Sequence, residues 1–357
     1  RVLDRVMPSS PSIPIYAELQ FAQVARAHGL ADVGETLVQR CKLALAYSAL
    51  LRARRIEPIK NWYNGVYPPV SGGKINLDGF QVDKACSYRS QVVAGAIAPP
   101  MLWGPDPDHA PSAAVLAAAK ASVAAGDLPA GTMAYVWDEG ESNPTLSDQA
   151  LARAQLTKPS LDVFITRRPS DAFRPFVTTF CPNSSLLDRG GECFYPSCMQ
   201  NGNCGNLPDG ATPAPSRAQP MAVSDVLNKI HWRAQTALAE VLGVKRQLYF
   251  NTTQRLPTAW SAGGMYNEGG NADGTKLLPG IGPRGDVPGL KGLTADIPIP
   301  TLEINGWREG SYDAEYQKLG RAAGILPTHI RSQDDWSHDP ADYDLYRERV
   351  ARAILGL

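Results

Sequence analysis

The sequence holds no run of eighteen consecutive apolar residues, the length a membrane-spanning helix needs. It has no excess of either charge: 35 Lys and Arg stand against 35 Asp and Glu. No broad field therefore draws the chain to nucleic acid or to anionic lipid, and a neutral or weakly charged substrate fits better. Histidine is scarce, no Gly-x-Ser-x-Gly elbow occurs, and no Gly-x-Gly-x-x-Gly turn follows the first predicted strand. The elbow's absence removes the common serine-hydrolase arrangement, and the missing turn demotes a dinucleotide fold. The chain opens on Arg1 rather than methionine. It reads as trimmed, with a removed signal peptide and an artificial boundary both left open.

What is present is 357 residues, enough for one large barrel or two average domains. Short β-rich runs alternate with longer helical patterns, which predicts parallel strands joined by crossover helices. The strands are read at Ser12–Glu18, Ile56–Trp62, Pro100–Trp103, Thr132–Asp138, Leu161–Thr166, Phe176–Phe180, Gln247–Asn251 and Ile299–Asn305. Helices are read at Gly34–Arg54, Val82–Ala96, Ser112–Ala125, Ser147–Leu156, Ala222–Leu242, Tyr312–Ala323 and Ala341–Leu355. This is the count of a (β/α)8 TIM barrel, whose active site sits at the carboxyl ends of the strands. One link of the barrel is missing, since no helix is evident in the short connection Arg167–Pro175; an open doubly wound sheet stays possible and ranks second, because no Gly-x-Gly-x-x-Gly turn follows the first strand. Residues 1–330 are read as the catalytic domain and 331–357 as a helical extension packed on the barrel. Two long insertions, 182–220 after strand six and 252–298 after strand seven, hang from the ligand-binding face.

Four of the six cysteines, Cys181, Cys193, Cys198 and Cys204, crowd the first insertion. An even count in an irregular loop reads as disulfide stapling in an oxidising compartment, so secretion or a periplasmic location is expected. Zinc is the rival reading, but the spacing lacks paired C-x-x-C hooks. Cys41 and Cys86, each inside a helical pattern, read as ordinary buried thiols.

The strongest local signal is Gly131-Thr-Met-Ala-Tyr-Val-Trp-Asp-Glu-Gly-Glu141, a β-rich run that ends abruptly in acid. Adjacent strand residues face opposite ways, so Asp138 and Glu139 can address different parts of one substrate. A carboxyl set beside Tyr135, Trp137 and a neighbouring acidic charge has its ionised form disfavoured, as a general acid requires. The plain structural alternative is that the pair opens a loop and caps the next helix. Aromatic residues at predicted strand ends suit the stacking of sugar rings: Tyr16, Trp62, Tyr63, Trp103, Trp137, Tyr249 and Trp260. Taken singly, each is more often core packing. Glu18, Tyr135, Asn251, Glu303 and Asn305 complete the candidate substrate-binding set. His231 reads as a satisfied helical histidine. His329 and His338, among Asp334, Asp335 and Asp339, read as part of a solvated helix cap rather than a metal site. No cofactor or metal is called for.

Three segments then resemble a known family. Asp273-Gly-Thr-Lys-Leu-Leu-Pro-Gly280, Ile299-Pro-Thr-Leu302 and Arg308-Glu-Gly-Ser-Tyr-Asp-Ala-Glu-Tyr316 are similar to the carboxyl-terminal signature of glycoside hydrolase family 123: a D-G-x-L-x-Y-P-G turn, a P-S-I-R strand and an R-(D/E)-G-x-x-D-Y-E-Y helix start. Leu51-Arg-Ala-Arg-Arg-Ile-Glu-Pro58 resembles the same family more weakly. The resemblance implies a retaining β-N-acetylhexosaminidase, typically acting on β-linked N-acetylgalactosamine, in which the substrate's acetamido oxygen is the nucleophile. It implies Glu139 as the acid/base and Asp138 as the residue holding the acetamide N–H. The sequence departs from the pattern at Gly140, Leu278, Glu303 and Asn305, which touches the expected pocket floor, and no stretch of these 357 residues reads as the β-sandwich that often precedes such barrels. Two alternatives stay open: a two-carboxylate glycosidase pairing Glu139 with a distant group such as Glu303, and a carbohydrate-binding relative without turnover. The expected partner is a glycan or glycoconjugate, with no nucleic acid and no membrane span; the oligomeric state is undetermined.

Overall fold

The computed structural model describes residues 7–30, 36–60, 67–83, 86–106, 108–138, 144–167, 169–181, 193–194, 229–249, 252–253, 277–278, 298–331 and 336–356. Its architecture is mixed α/β built on parallel sheets. Strand β1 (Ile15–Leu19) is followed by helices α1 (Phe21–Ala27) and α2 (Thr36–Arg52), and then by β2 (Ile56–Lys60). Two small hairpins come next, β3 (Val70–Ser71) with β4 (Lys74–Ile75) and β5 (Gln81–Asp83) with β6 (Cys86–Ser87). A π-helical turn over Arg89–Val93 leads to β7 (Met101–Trp103), α3 (Ala113–Ala124), β8 (Met133–Asp138), α4 (Pro144–Thr157) and β9 (Asp162–Thr166). After β10 (Thr179–Phe180) and β11 (Cys193–Phe194) come α5 (Lys229–Val241) and β12 (Arg246–Tyr249). The strands β13 (Leu277–Leu278) and β14 (Ile299–Pro300) precede the last two helices, α6 (Leu302–Ala322) and α7 (Pro340–Leu355).

Two four-stranded parallel sheets carry the fold, one in the order β11, β12, β1, β2 and the other β10, β9, β8, β7. A parallel strand covered on both faces reads as an unbroken apolar run, which is why Met133 to Trp137 are all buried. One face of β1 and β8 joins the large core beneath the helices, through Ile15, Ala17, Leu19, Ala134 and Val136. The other joins a smaller cluster made of Tyr16, Ile59, Ala98, Met101, Met133, Tyr135, Phe164, Cys181 and Leu248, which draws on strands of both sheets.

Local chemistry fixes the helix ends. Ser112 caps α3 by accepting from the Val115 amide at 3.3 Å. Asp339 caps α7 in the same way through Ala341 at 2.9 Å, Pro340 follows in the first turn, and Gly356 closes the helix in the left-handed region at φ 70°. Helices α5 and α6 approach closely at Gly310, where any Cβ would collide with the Arg233 carbonyl and Thr236. Trp232, Trp307 and Tyr249 meet edge to face there, with ring centroids 4.7 to 5.7 Å apart.

Several expectations are corrected. The run Ile299–Asn305 is not a parallel strand: only Ile299–Pro300 is extended, and it pairs antiparallel with Leu277–Leu278. From Leu302 the buried residues Glu303, Ile304, Trp307, Gly310 and Ser311 follow a helical period, and α6 begins there. Arg308–Tyr316 is accordingly the middle of α6 and not a helix start. Another parallel strand is β11, a two-residue piece inside the cysteine-rich segment read as a loop, too short to show alternation. The helix expected over Val82–Ala96 is the β5–β6 hairpin and the π-turn. Cys41 and Cys86 are not thiols: they form a disulfide with Cα atoms 5.1 Å apart, tying α2 to β6. Cys181 is also disulfide-bonded, and no described cysteine is free. Among the described residues no helix is long and apolar enough to cross a membrane.

Candidate functional site

One strand of each sheet carries an acid near its carboxyl end: Glu18 is the penultimate residue of β1 and Asp138 the last of β8. Along β1 the residues alternate, so Glu18 shares the face of Tyr16 while Ala17 and Leu19 pack under the helices. Strand β8 would break this rule without help. Tyr135 belongs to the inner cluster, but Trp137, two residues on, packs with the outer core. A bulge explains it, because the register with β9 shifts between Tyr135 and Trp137. The extra residue turns Trp137 outward and returns Asp138 to the side of Tyr135. The Tyr135 hydroxyl donates to Asp138 Oδ1 at 2.5 Å. Thr166, opposite Asp138 at the end of β9, donates to the same oxygen at 2.7 Å and lies 3.0 Å from the Tyr135 hydroxyl.

Glu18 lies deeper than the partly exposed Asp138 and is 3% exposed. Burial, and then the charge of Asp138, push the Glu18 carboxyl well above the usual carboxylate range. Its Oε2 and the Tyr16 hydroxyl are buried with no hydrogen-bond partner among the described residues. Burial likewise raises the Tyr16 phenol. The chain next to Glu18 is held firmly: Thr252 donates from its amide and its hydroxyl to the Glu18 carbonyl at 2.7 and 2.8 Å, and the Gln20 amide donates to Thr253 Oγ1 at 2.8 Å.

A built loop follows β7 at the same carboxyl end of the strands. Asp106 accepts from the amides of Asp108 and His109 at 2.9 and 3.0 Å, and the Tyr67 hydroxyl donates to the His109 carbonyl at 2.8 Å. Arg153 of α4 donates to the carbonyls of Asp106 and His109 and lies over the Trp137 ring at 5.4 Å.

Of the residues singled out in the sequence, Tyr16, Glu18, Tyr135 and Asp138 come together on one face. Trp103, Trp137 and Tyr249 do not open toward it: each is at most 4% exposed, Trp103 against Tyr67 at 5.6 Å and Tyr249 against Trp232 and Trp307. Glu303 is buried in the first turn of α6 instead of on a strand. Asn305 accepts from Arg54 at 3.2 Å, and Arg54 precedes β2, at the opposite ends of the strands. Glu139, Trp62, Tyr63, Asn251, Trp260, Asp334 and Asp335 lie outside the described residues, as does the side chain of His231. His329 is not in a solvated cap: it is buried with its ring tilted against Tyr343 and Tyr346, whereas Asp339 is the α7 cap. Among the described residues no three His, Cys, Asp or Glu side chains come together as a metal-ligand set. Sequence reading missed Thr166; its signal is that it ends the strand after β8, where a hydroxyl reaches a neighbouring carboxylate.

No protein-family model matches the chain, and no curated protein matches it in sequence. A solved structure of a family 123 glycoside hydrolase from Clostridium perfringens, reported for glycolipid glycan hydrolysis, has a fold similar to this chain's. The TM-score is 0.52 at 9% identity, over 98% of this chain and 69% of that one. At that identity the likeness is one of fold.

Proposed function

We propose that the chain is a glycoside hydrolase that removes a terminal β-linked N-acetylhexosamine, N-acetylgalactosamine in the first instance, with retention and by substrate-assisted catalysis. The observation that carries this reading is Asp138 at the carboxyl end of β8, held by Tyr135 and Thr166 on the face it shares with Glu18. The fold likeness to a family 123 hydrolase supports it. So does the small cluster shared by both sheets, from which we infer one closed (β/α)8 barrel with its site at the strands' carboxyl ends. Residues 1–330 then form the catalytic domain, and α7 is the extension packed on α6. The Cys41–Cys86 bridge supports assembly in an oxidising compartment, secreted or periplasmic.

In this reading Asp138, fixed at Oδ1 by two hydroxyl donors, holds the acetamide N–H of the bound sugar while its carbonyl oxygen closes on the anomeric carbon. Glu139 protonates the leaving oxygen and then takes a proton from the water that opens the oxazoline. Fixing Asp138 beforehand spares the transition state the cost of orienting it.

Asp138→Asn and Glu139→Gln are each expected to slow hydrolysis of an aryl β-N-acetylgalactosaminide by roughly 100- to 10,000-fold. A thiazoline is expected to inhibit the wild type. Turnover within a few-fold of wild type in either variant, or indifference to thiazoline together with cleavage of a plain galactoside, would remove the proposal.

A further inference from the structure

Two buried polar atoms on the inner face of β1, Glu18 Oε2 and the Tyr16 hydroxyl, have no hydrogen-bond partner among the described residues. Such groups are costly, and a chain selected only for stability replaces them with apolar ones. Here they sit next to the one carboxylate whose orientation two strands fix, Asp138, and the charge of that carboxylate is felt at Glu18. A site that keeps hydrogen-bonding capacity unused in the absence of ligand is built to spend it on a ligand.

We propose that Glu18 is the specificity residue of this site, its carboxyl hydrogen-bonding the ring hydroxyl beside the acetamido group of the bound sugar. The inference rests on the hydrolase reading for the pose, with Asp138 on the acetamide N–H and Glu18 on β1 close enough to feel its charge. Chemistry selects a hydroxyl over a charged group. Burial and the charge of Asp138 favour the protonated form of Glu18, which offers one O–H donor and one carbonyl acceptor, and a sugar hydroxyl matches both. A phosphate or carboxylate there would meet Asp138 with like charge.

The test uses the whole chain and binding alone. N-acetylgalactosamine and its 3-deoxy, 4-deoxy and 6-deoxy analogues are titrated into wild type, Glu18→Gln and Glu18→Leu, with a thermal melt of each. Wild type is expected to bind the 3-deoxy sugar on the order of 10- to 100-fold more weakly than the parent, and the other two less weakly. Glu18→Gln keeps a donor and an acceptor and is expected to retain that discrimination. Glu18→Leu is expected to bind parent and 3-deoxy sugar equally, while melting at or above the wild-type temperature. A Glu18→Leu protein that discriminates as wild type does, or that melts lower or does not fold, overturns the proposal, because the carboxyl would then be a structural partner. So does a wild type that binds none of the sugars. Discrimination without hydrolysis of the aryl glycoside leaves Glu18 in place and removes the hydrolase; hydrolysis with unchanged KM in Glu18→Leu does the reverse.

Discussion

Thr166 Oγ1 donates to Asp138 Oδ1 across the β8–β9 pair at 2.7 Å, and it reaches that oxygen because a bulge one turn of the pleat earlier has moved Asp138 to the inner face. In a regular strand Tyr135 and Trp137 would share a face and Asp138 would point under α4. One extra residue in β8 therefore converts a core aspartate position into a site position.

Removing the Thr166 hydroxyl while keeping its shape is expected to lower kcat and spare KM. Thr166→Val takes one hydroxyl donor from Asp138, and a lost charge-assisted hydrogen bond of about 1.5–3 kcal/mol corresponds to roughly a 10- to 150-fold slower step. Tyr135→Phe is expected to act the same way, and the double variant to fall short of the product because both act on one oxygen. Steady-state kinetics on an aryl glycoside decide it: a kcat equal to wild type in both variants means that Asp138 is oriented by something else.

Much of the fold is legible in the sequence where strands are long and covered on both faces. β1, β7, β8 and β9 announce themselves as largely apolar runs, and β2 and β12 as shorter β-rich segments between helical patterns. β11 does not, since two residues carry no period. Segment Ile299–Asn305 misleads because Ile-Pro-Thr-Leu reads as a strand while the core contacts of Ile304 and Trp307, spaced three apart, belong to a helix. The site is half legible. Asp138 stands out at a strand end, but the facing of Trp137 depends on a bulge that alternation alone cannot show. The family-like motifs prove partly architectural. Arg55 of the Leu51–Pro58 segment sits at φ 64° and donates to Ser311 at 2.9 Å and to Glu315 at 3.0 Å in the Arg308–Tyr316 segment. Those two motifs hold one another, and neither reaches Asp138 directly.

The Cys41–Cys86 bridge closes a loop with a sequence separation of 45. By chain entropy its removal is expected to cost about 2–4 kcal/mol, roughly 3 to 5 °C in a cooperative melt of a chain this long. The Cys41→Ala/Cys86→Ala double variant measures this directly, whereas a reductant would also open the bridge at Cys181. An unchanged melting temperature would mean that α2 and the β5–β6 hairpin are already held together by packing.

Asp313 is the hub joining α5, α6 and α7. Buried at 1% exposure, it accepts from Arg233 at 2.6 and 3.1 Å and from Arg347 at 2.5 Å, while Arg233 also reaches Asp344 at 2.6 Å. Asp313→Ala takes the buried partner from two guanidinium groups, leaving Arg233 to the exposed Asp344 and Arg347 to Glu309, and is expected to cost about 3–5 kcal/mol in urea unfolding. Asp344→Ala removes only the partly exposed arm and is expected to cost under about 1 kcal/mol. Equal losses from the two would place the stabilisation in the rim of this network instead of its buried centre.

His329 gives the fold its own acid sensitivity. The ring is 5% exposed and lies 4.4 and 4.9 Å from the rings of Tyr343 and Tyr346, with neither nitrogen hydrogen-bonded among the described residues. Burial, outweighing the attraction of Asp313, lowers its pKa from 6.5 to about 4. Because the folded value lies below the unfolded one, the unfolded chain takes up the proton first as pH falls. The contribution of His329 is therefore intact above pH 6.5, is lost progressively between 6.5 and 4, and changes no further once both states are protonated. The shift corresponds to about 3 kcal/mol over that window. His329→Phe keeps a ring between the two tyrosines and removes the titration, so its unfolding free energy is expected to fall less steeply than that of wild type from pH 6.5 to 4. Parallel pH profiles for the two proteins would show that the histidine is solvated, and that α7 is docked by the Asp313 hub and its own apolar face without it.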